Sequence, residues 1–201
     1  MKVSRHIIAK FYNCRGHLGE KGVAAVELAI ILPLMLIIVF AIIDFGRLFN
    51  ARLEITNMAR EGGSLACRDM KSAADIITML QIGASDLDLA NSGKIYVWKI
   101  DGGKLTNGTV TLPQIDTAAS ANAGLLSVAS SIGSNVTNLG FSNTFYQHLV
   151  YNTTNKMSDV TSVTVVEVFY KYTPISPISK FIPGLITGDS GGKIISSKAV
   201  F

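Results

Sequence analysis

The chain has 201 residues, 48% of them hydrophobic and 16% charged, with a formal charge of +4 at pH 7. Lys2, Arg5, Lys10, Arg15 and Lys21, against Glu20 alone, precede residue 23, and beyond Gly22 the 13 basic residues balance 13 acidic ones. The basic pI therefore belongs to the first 22 residues, where it records membrane topology and not a nucleic-acid partner.

That basic leader, residues 1–22, runs into the only long apolar stretch, Val23–Ile43, whose single charge is Glu27. As a helix the stretch spans roughly 32 Å, close to the ~30 Å hydrocarbon core of a bilayer. It is longer than the apolar region of a secretion signal, and no small-x-small cleavage site follows it. The expectation is an uncleaved span, with the amino end cytoplasmic and residues 44–201 outside. Glu27 is costly so close to hydrocarbon; it either snorkels to the interface or meets a partner. Pro33 removes one backbone hydrogen bond within the span, so either a helix kink or simple tolerance in a membrane helix is expected.

The helical pattern persists past Asp44. Phe45, Leu48, Phe49, Ile55, Met58, Ala59, Gly62 and Ala66 recur at steps of three and four, with charged residues between them. One long helix is expected from Val23 to about Arg68, roughly 70 Å, laying this stripe on an outward domain over residues 44–70. Gly62-Gly63 marks either close packing or a break. Cys14 and Cys67 fall on opposite sides of the bilayer and cannot pair; Cys67 is either a small buried residue or an intermolecular thiol.

Several blocks of this region occur together. They are Gly22 followed by four apolar residues and Glu27, then Ala24-Ala25-Val26-Glu27-Leu28-Ala29, Ile31-Leu32-Pro33-Leu34, Ile43-Asp44-Phe45-Gly46-Arg47 and Ala59-Arg60-Glu61-Gly62-Gly63. The first is the processing pattern of type IV prepilins and pseudopilins. In order, over about residues 19–67, the blocks resemble the TadE-like family, pseudopilins of the tight-adherence (Flp) pilus system. The resemblance implies cleavage by a prepilin peptidase between Gly22 and Val23 and residence in a bacterial inner membrane. It also implies a role as a minor component in pilus biogenesis, with other pilins and pseudopilins and the inner-membrane assembly platform as partners. Val23 would then carry a free α-amine with a pKa near 8. In a pilin-like assembly that amine of one subunit pairs with Glu27 of a neighbour, setting their axial stagger.

Residues 71–201 are long enough for one modest core. A helix is expected at Ser72–Leu89 and a strand at Lys94–Ile100. Asp101-Gly102-Gly103 then signals a turn, with a return strand at Thr109–Leu112. A second helix is expected over Ala/Ser-rich Thr117–Ile132. Phe141–Tyr151 reads as a helix or an irregular aromatic segment. Val160–Tyr172 is the strongest strand, Pro174, Pro177 and Pro183 break regular structure, and Lys193–Val200 is a last, weaker strand. The expected class is α+β, a long N-terminal transmembrane helix packed on a small domain with an antiparallel sheet. The β-rich run into Tyr170-Lys171-Tyr172-Thr173-Pro174 also resembles the end of TadE-like proteins.

Chemistry is sparse. His6 and His17 lie in the leader, leaving His148 in the outward part, which rules out a histidine cluster there. No Gly-x-Ser-x-Gly elbow accompanies His148, which reads as a surface or half-buried residue. Asp86 and Asp88 read as a solvated helix end or a shared loop ligand, and the Gly-Gly pairs lack the Lys-Ser/Thr of a phosphate loop. Asn107, Asn135 and Asn152 open Asn-x-Thr triplets that, in a bacterial protein, are polar loop sequence. No catalytic residue, metal or cofactor is expected. The leading expectation is a structural assembly protein. The alternative is a single-pass membrane-anchored ectodomain with a binding or enzymatic function, using 23–43 only as a tether.

Overall fold

An unbroken apolar run makes a helix that lipid can surround, and the change of pattern after Ile43 gives the same helix a single buried side. In the computed structural model, which describes residues 16–68, 71–84, 86–176 and 192–201, helix α1 runs Gly16–Cys67 and continues through Pro33. Its 52 residues extend roughly 78 Å. The large side chains from Val23 to Ile43 are exposed, and the most apolar stretch has nothing packed on it. Beyond it, Asp44, Ala51, Ile55, Met58, Ala59, Gly62 and Ala66 are buried, with Leu48 half-buried among them. That is one face of a helix.

Two of the aromatic residues expected on that face are not there. Phe45 and Phe49 are 64% and 58% exposed. They sit one residue beyond Asp44 and Leu48, about 100° around the axis. The reason is helical phase: the packed face runs through Asp44, Leu48, Ala51, Ile55, Met58 and Gly62, and both rings fall outside it. A Cβ on Gly62 would lie 2.7 Å from Leu80 Cδ1 and 3.3 Å from Val166 Cγ1, and one on Gly63 would strike the Phe201 ring. The glycine pair therefore marks close packing, and α1 does not break there.

Helix α2, Ala73–Gly83, starts at a reciprocal cap. Ser72 Oγ accepts from Asp75 N–H at 3.2 Å and donates to the Asp75 carboxylate at 2.7 Å. The helix expected to reach Leu89 stops at Gly83, because buried Ala84 leaves helical backbone space at φ −85, ψ 66. A short α3, Leu89–Ser92, follows, with Asp88 as its N-cap.

Four strands form one antiparallel sheet in the order β4-β1-β5-β6: β1 Gly93–Asp101, β4 Gln114–Ala123, β5 Ser162–Tyr172 and β6 Lys193–Val200. Between β1 and β4, β2 (Leu105–Thr106) and β3 (Thr109–Val110) close on Asn107-Gly108, both at positive φ, as a tight hairpin requires. Thr109–Val110 thus returns on β2 and not on β1. The true partner of β1 is β4, which overturns the helix expected at Thr117–Ile132. Ala and Ser tolerate either state, and pairing with β1 decides between them: Ile95 aligns with Ala123 and Val97 with Ala121. Gly124, at φ +109, ends the strand against the Gly93 carbonyl. Residues 125–142 then run without strand or α-helix to α4, Asn143–Leu149. Pro177 and Pro183 lie outside the described residues.

The sheet is covered on both faces. Ile95, Val97, Val166, Val168 and Ile195 pack under α1 and α2. Ile100, Val163 and Val165 pack against Ile132 and Leu149, with Trp98, Phe141 and Phe145 around them. Glu167, 2% exposed, pins the second layer. It accepts from the hydroxyls of Ser130 and Ser131 and from the Ser131 N–H at 3.2 Å, and Lys198 Nζ stands 3.7 Å away. A carboxylate so fully satisfied can be buried without a large penalty.

Replacing Gly62 by Leu is expected to force α1 off Leu80 and Val166 and to cost about 1–3 kcal/mol. Thermal denaturation of the detergent-solubilised chain measures this, with Gly83→Leu, at an open position, as the neutral comparison.

Candidate functional site: the membrane-proximal helix and its junction

The residues expected to carry function lie along one stretch of α1. Gly22 precedes the apolar run, and a Cβ there would have nothing within 4 Å. Val23 is 60% exposed, and Glu27 is also exposed. Among the described residues, no hydrogen bond or ion pair reaches Glu27. Glycine inside a helix costs about 1 kcal/mol relative to alanine, and a charge among apolar side chains costs more. Among the described residues, nothing packs on or pairs with either one.

The opposite holds one residue past the span. Asp44 is fully buried. Its carboxylate accepts from the Ser176 hydroxyl, and from the N–H groups of Ile175 and Ser176 at 3.3 and 3.4 Å. The Tyr172 hydroxyl donates to the Asp44 carbonyl at 2.9 Å. The last residue of β5 and the segment after it are thereby fastened to α1 where the helix leaves its apolar run. Spacing alone gave no signal for this. The available clue was an acid at a core position of the stripe, Asp44 standing four residues before Leu48.

A cavity of about 500 Å³ opens beside this latch, lined by Arg47, Asn50 and Glu54 of α1, Asp86 after α2, and Tyr170 and Thr173 of β5 and its exit. Burial, and then the charge of Asp86, push the Glu54 carboxyl above its ordinary value. Burial likewise raises the Tyr170 and Tyr172 phenols, with Arg47 opposing the shift in both. A second cavity of about 620 Å³ lies at the far end of β1, between Asp101-Gly102-Gly103, Lys104, Tyr151 and Lys156.

The other candidates separate. His148 is on the surface at the end of α4, its Nδ1 3.0 Å from Asp159 Oδ2. Asp88 caps α3, whereas Asp86 faces the junction cavity. Cys67 is exposed, correcting the buried alternative, because it falls at the last residue of α1 past the end of the packed face; its thiol reaches the Ser64 carbonyl. Among the described residues, no three His, Cys, Asp or Glu side chains group as metal ligands.

Residues 22–64 match the model of a family described as TadE-like protein, the same family that the residue blocks of this helix resemble. The match begins at Gly22, spans Glu27, Pro33 and Asp44, and ends at Ser64, so it covers α1 and none of the sheet. Comparison with curated proteins and with solved structures gives no match.

Asp44→Ala is expected to remove the acceptor shared by Ile175 and Ser176 and to cost about 1.5–3 kcal/mol, the range for hydrogen bonds to a charged group. Amide exchange at Ile175 and Ser176 should accelerate selectively, while that of β1 stays slow. Glu54 gives a pH signature. Its protonated form is favoured in the fold, so its contribution is present at low pH and is lost as pH rises through its raised folded value. Lipid-free Glu54→Gln protein should match the parent in thermal midpoint near pH 4 and exceed it at pH 7–8.

Proposed function

We propose that this chain is a minor, pilin-like component of a Tad (Flp) type pilus, held in the bacterial inner membrane by α1 and acting in pilus assembly. The observation that carries the reading is the pair Gly22 and Glu27 on a TadE-like helix. Both are unfavourable within the isolated chain, and both have a use if another protein handles them. A glycine in open space suits a bond that enters a peptidase. An exposed carboxylate within the second turn after that bond suits a neighbour's ammonium.

In this reading a prepilin peptidase removes residues 1–22 and leaves Val23 as the new amino terminus. Residues 23–43 span the membrane with the basic side cytoplasmic, and residues 44–70 carry the helix out to the periplasmic domain of residues 71–201. Glu27 accepts the α-amine of an adjoining subunit, an ion pair that low-dielectric surroundings strengthen and that fixes axial register. Pro33 supplies a bend that lets neighbouring spans pack. The partners are other pilins and pseudopilins and the assembly platform. No catalytic role is assigned to any residue.

Sequencing the amino terminus of protein extracted from membranes tests the processing step. Val23 is the expected residue, and recovery of Met1 alone would return the chain to the class of simple tethered ectodomains. Gly22→Leu should accumulate as the uncut form. Glu27→Ala should be cut normally yet reduce piliation several-fold on electron micrographs; wild-type fibre numbers in that strain would remove the pairing role.

A further inference from the structure

The junction cavity has a chemical order along the helix axis. Its lower rim, Gly46 and Arg47, begins three and four residues past Ile43, roughly 5–6 Å above the apolar run, which is headgroup depth. Glu54 lies seven residues further out on the same cavity wall, roughly 10 Å along the axis, so the cationic and anionic linings are separated in that order. Gly46 adds room, since a Cβ there would meet nothing within 4 Å. Asn50 and Thr173 supply neutral polar groups, and Tyr170 forms part of the wall. The Asp44–Ser176 latch holds the adjoining chain in place without any ligand.

From membrane to solvent the sequence of surfaces is therefore apolar, cationic, then anionic. A phosphatidylethanolamine molecule presents acyl chains, phosphate and primary ammonium in that same order. We infer that the cavity between α1 and the end of β5 binds the headgroup of one such lipid, its phosphate on Arg47 and Asn50 and its ammonium on Glu54 and Asp86. The inference rests on the membrane-anchored reading of α1. An N–H ammonium is favoured over a quaternary one because Glu54 and Asp86 are hydrogen-bond acceptors as well as charges. A glycerol headgroup offers them no charge. Free glycerophosphoethanolamine lacks the acyl chains that lie along Val23–Ile43.

The test uses the full chain, purified from membranes in detergent and examined by native mass spectrometry with equal amounts of phosphatidylethanolamine, phosphatidylcholine and phosphatidylglycerol. One ethanolamine lipid per chain should be retained at least several-fold above the other two. Arg47→Ala and Glu54→Gln should each abolish the preference, while Lys104→Ala, at the far end of the sheet, should keep it. Equal retention of the three lipids, or an unchanged preference in both junction variants, would overturn the inference. So would displacement of the bound lipid by equimolar glycerophosphoethanolamine. Release of the chain from membranes by alkaline carbonate would defeat the anchored reading itself, which separates that failure from failure of the site.

Discussion

One helix carries two surface patterns, and Asp44 stands where the pattern changes. From Leu28 to Ile43, α1 is apolar on all sides, a surface that lipid can surround; after it, only one face is. A carboxylate buried at the changeover is tolerable only when its acceptors are filled. Asp44 takes its donors from Ile175 and Ser176, 131 and 132 residues later in the chain. The membrane end of the helix is thus secured only once β5 has folded back to meet it. With α1 continuous, fixing Asp44 sets the register of the whole packed face, so Ala51, Ile55, Ala59 and Gly62 arrive opposite the sheet together.

The sheet in turn needs both of its coverings. Residues 163–168 of β5 are buried on either side, which is why this strand reads as a nearly continuous apolar run. One side rests on α1 and α2. The other is closed by a layer with little regular structure, and Glu167 gives that layer a fixed point by collecting Ser130, Ser131 and Lys198. The outer strands are guarded against pairing with other sheets. In β4 the register with β1 shifts, Asp116 turns back onto the N–H groups of Ala118 and Ala119, and the Lys99 N–H is diverted to Ser120 Oγ. In β6 the edge carries Lys193 and Lys198. A domain that discourages sheet pairing leaves α1 as its principal surface for association.

Legibility in the sequence followed how local the deciding interaction is. The span, its continuation into α1, and strands β1, β5 and β6 were readable because periodicity and β-branched composition are local properties. The α+β class followed from them. Thr117–Ile132 was misread because its Ala/Ser composition is neutral and the choice belongs to Ile95 and Val97 on another strand. Phe45 and Phe49 were assigned inward on hydrophobicity, whereas the helical phase is set by the face that Asp44, Leu48, Ala51 and Ile55 present to the domain. The end of α2 at Gly83 depends on the burial of Ala84, which pattern does not reveal. At the site, Gly22 and Glu27 stood out because each violates a local rule. Asp44 violates one too, but its partners lie after β5, so its purpose could be read only in three dimensions.

Comparing the costly residues separates structure from function. Gly62 and Gly63 weaken helix propensity, and close packing on Leu80, Val166 and Phe201 offsets this. Asp44 and Glu167 are buried acids, and each is surrounded by donors from its own chain. Gly22 and Glu27 carry the same kinds of cost with no return from the described residues of the chain. Conflicts of this sort between local rule and local gain concentrate where a protein meets something else. The TadE-like match, confined to residues 22–64, covers both uncompensated positions and Asp44 at the changeover. The uncompensated positions therefore lie on the exposed length of α1, whereas the sheet packs only on the continuation of that helix beyond Ile43.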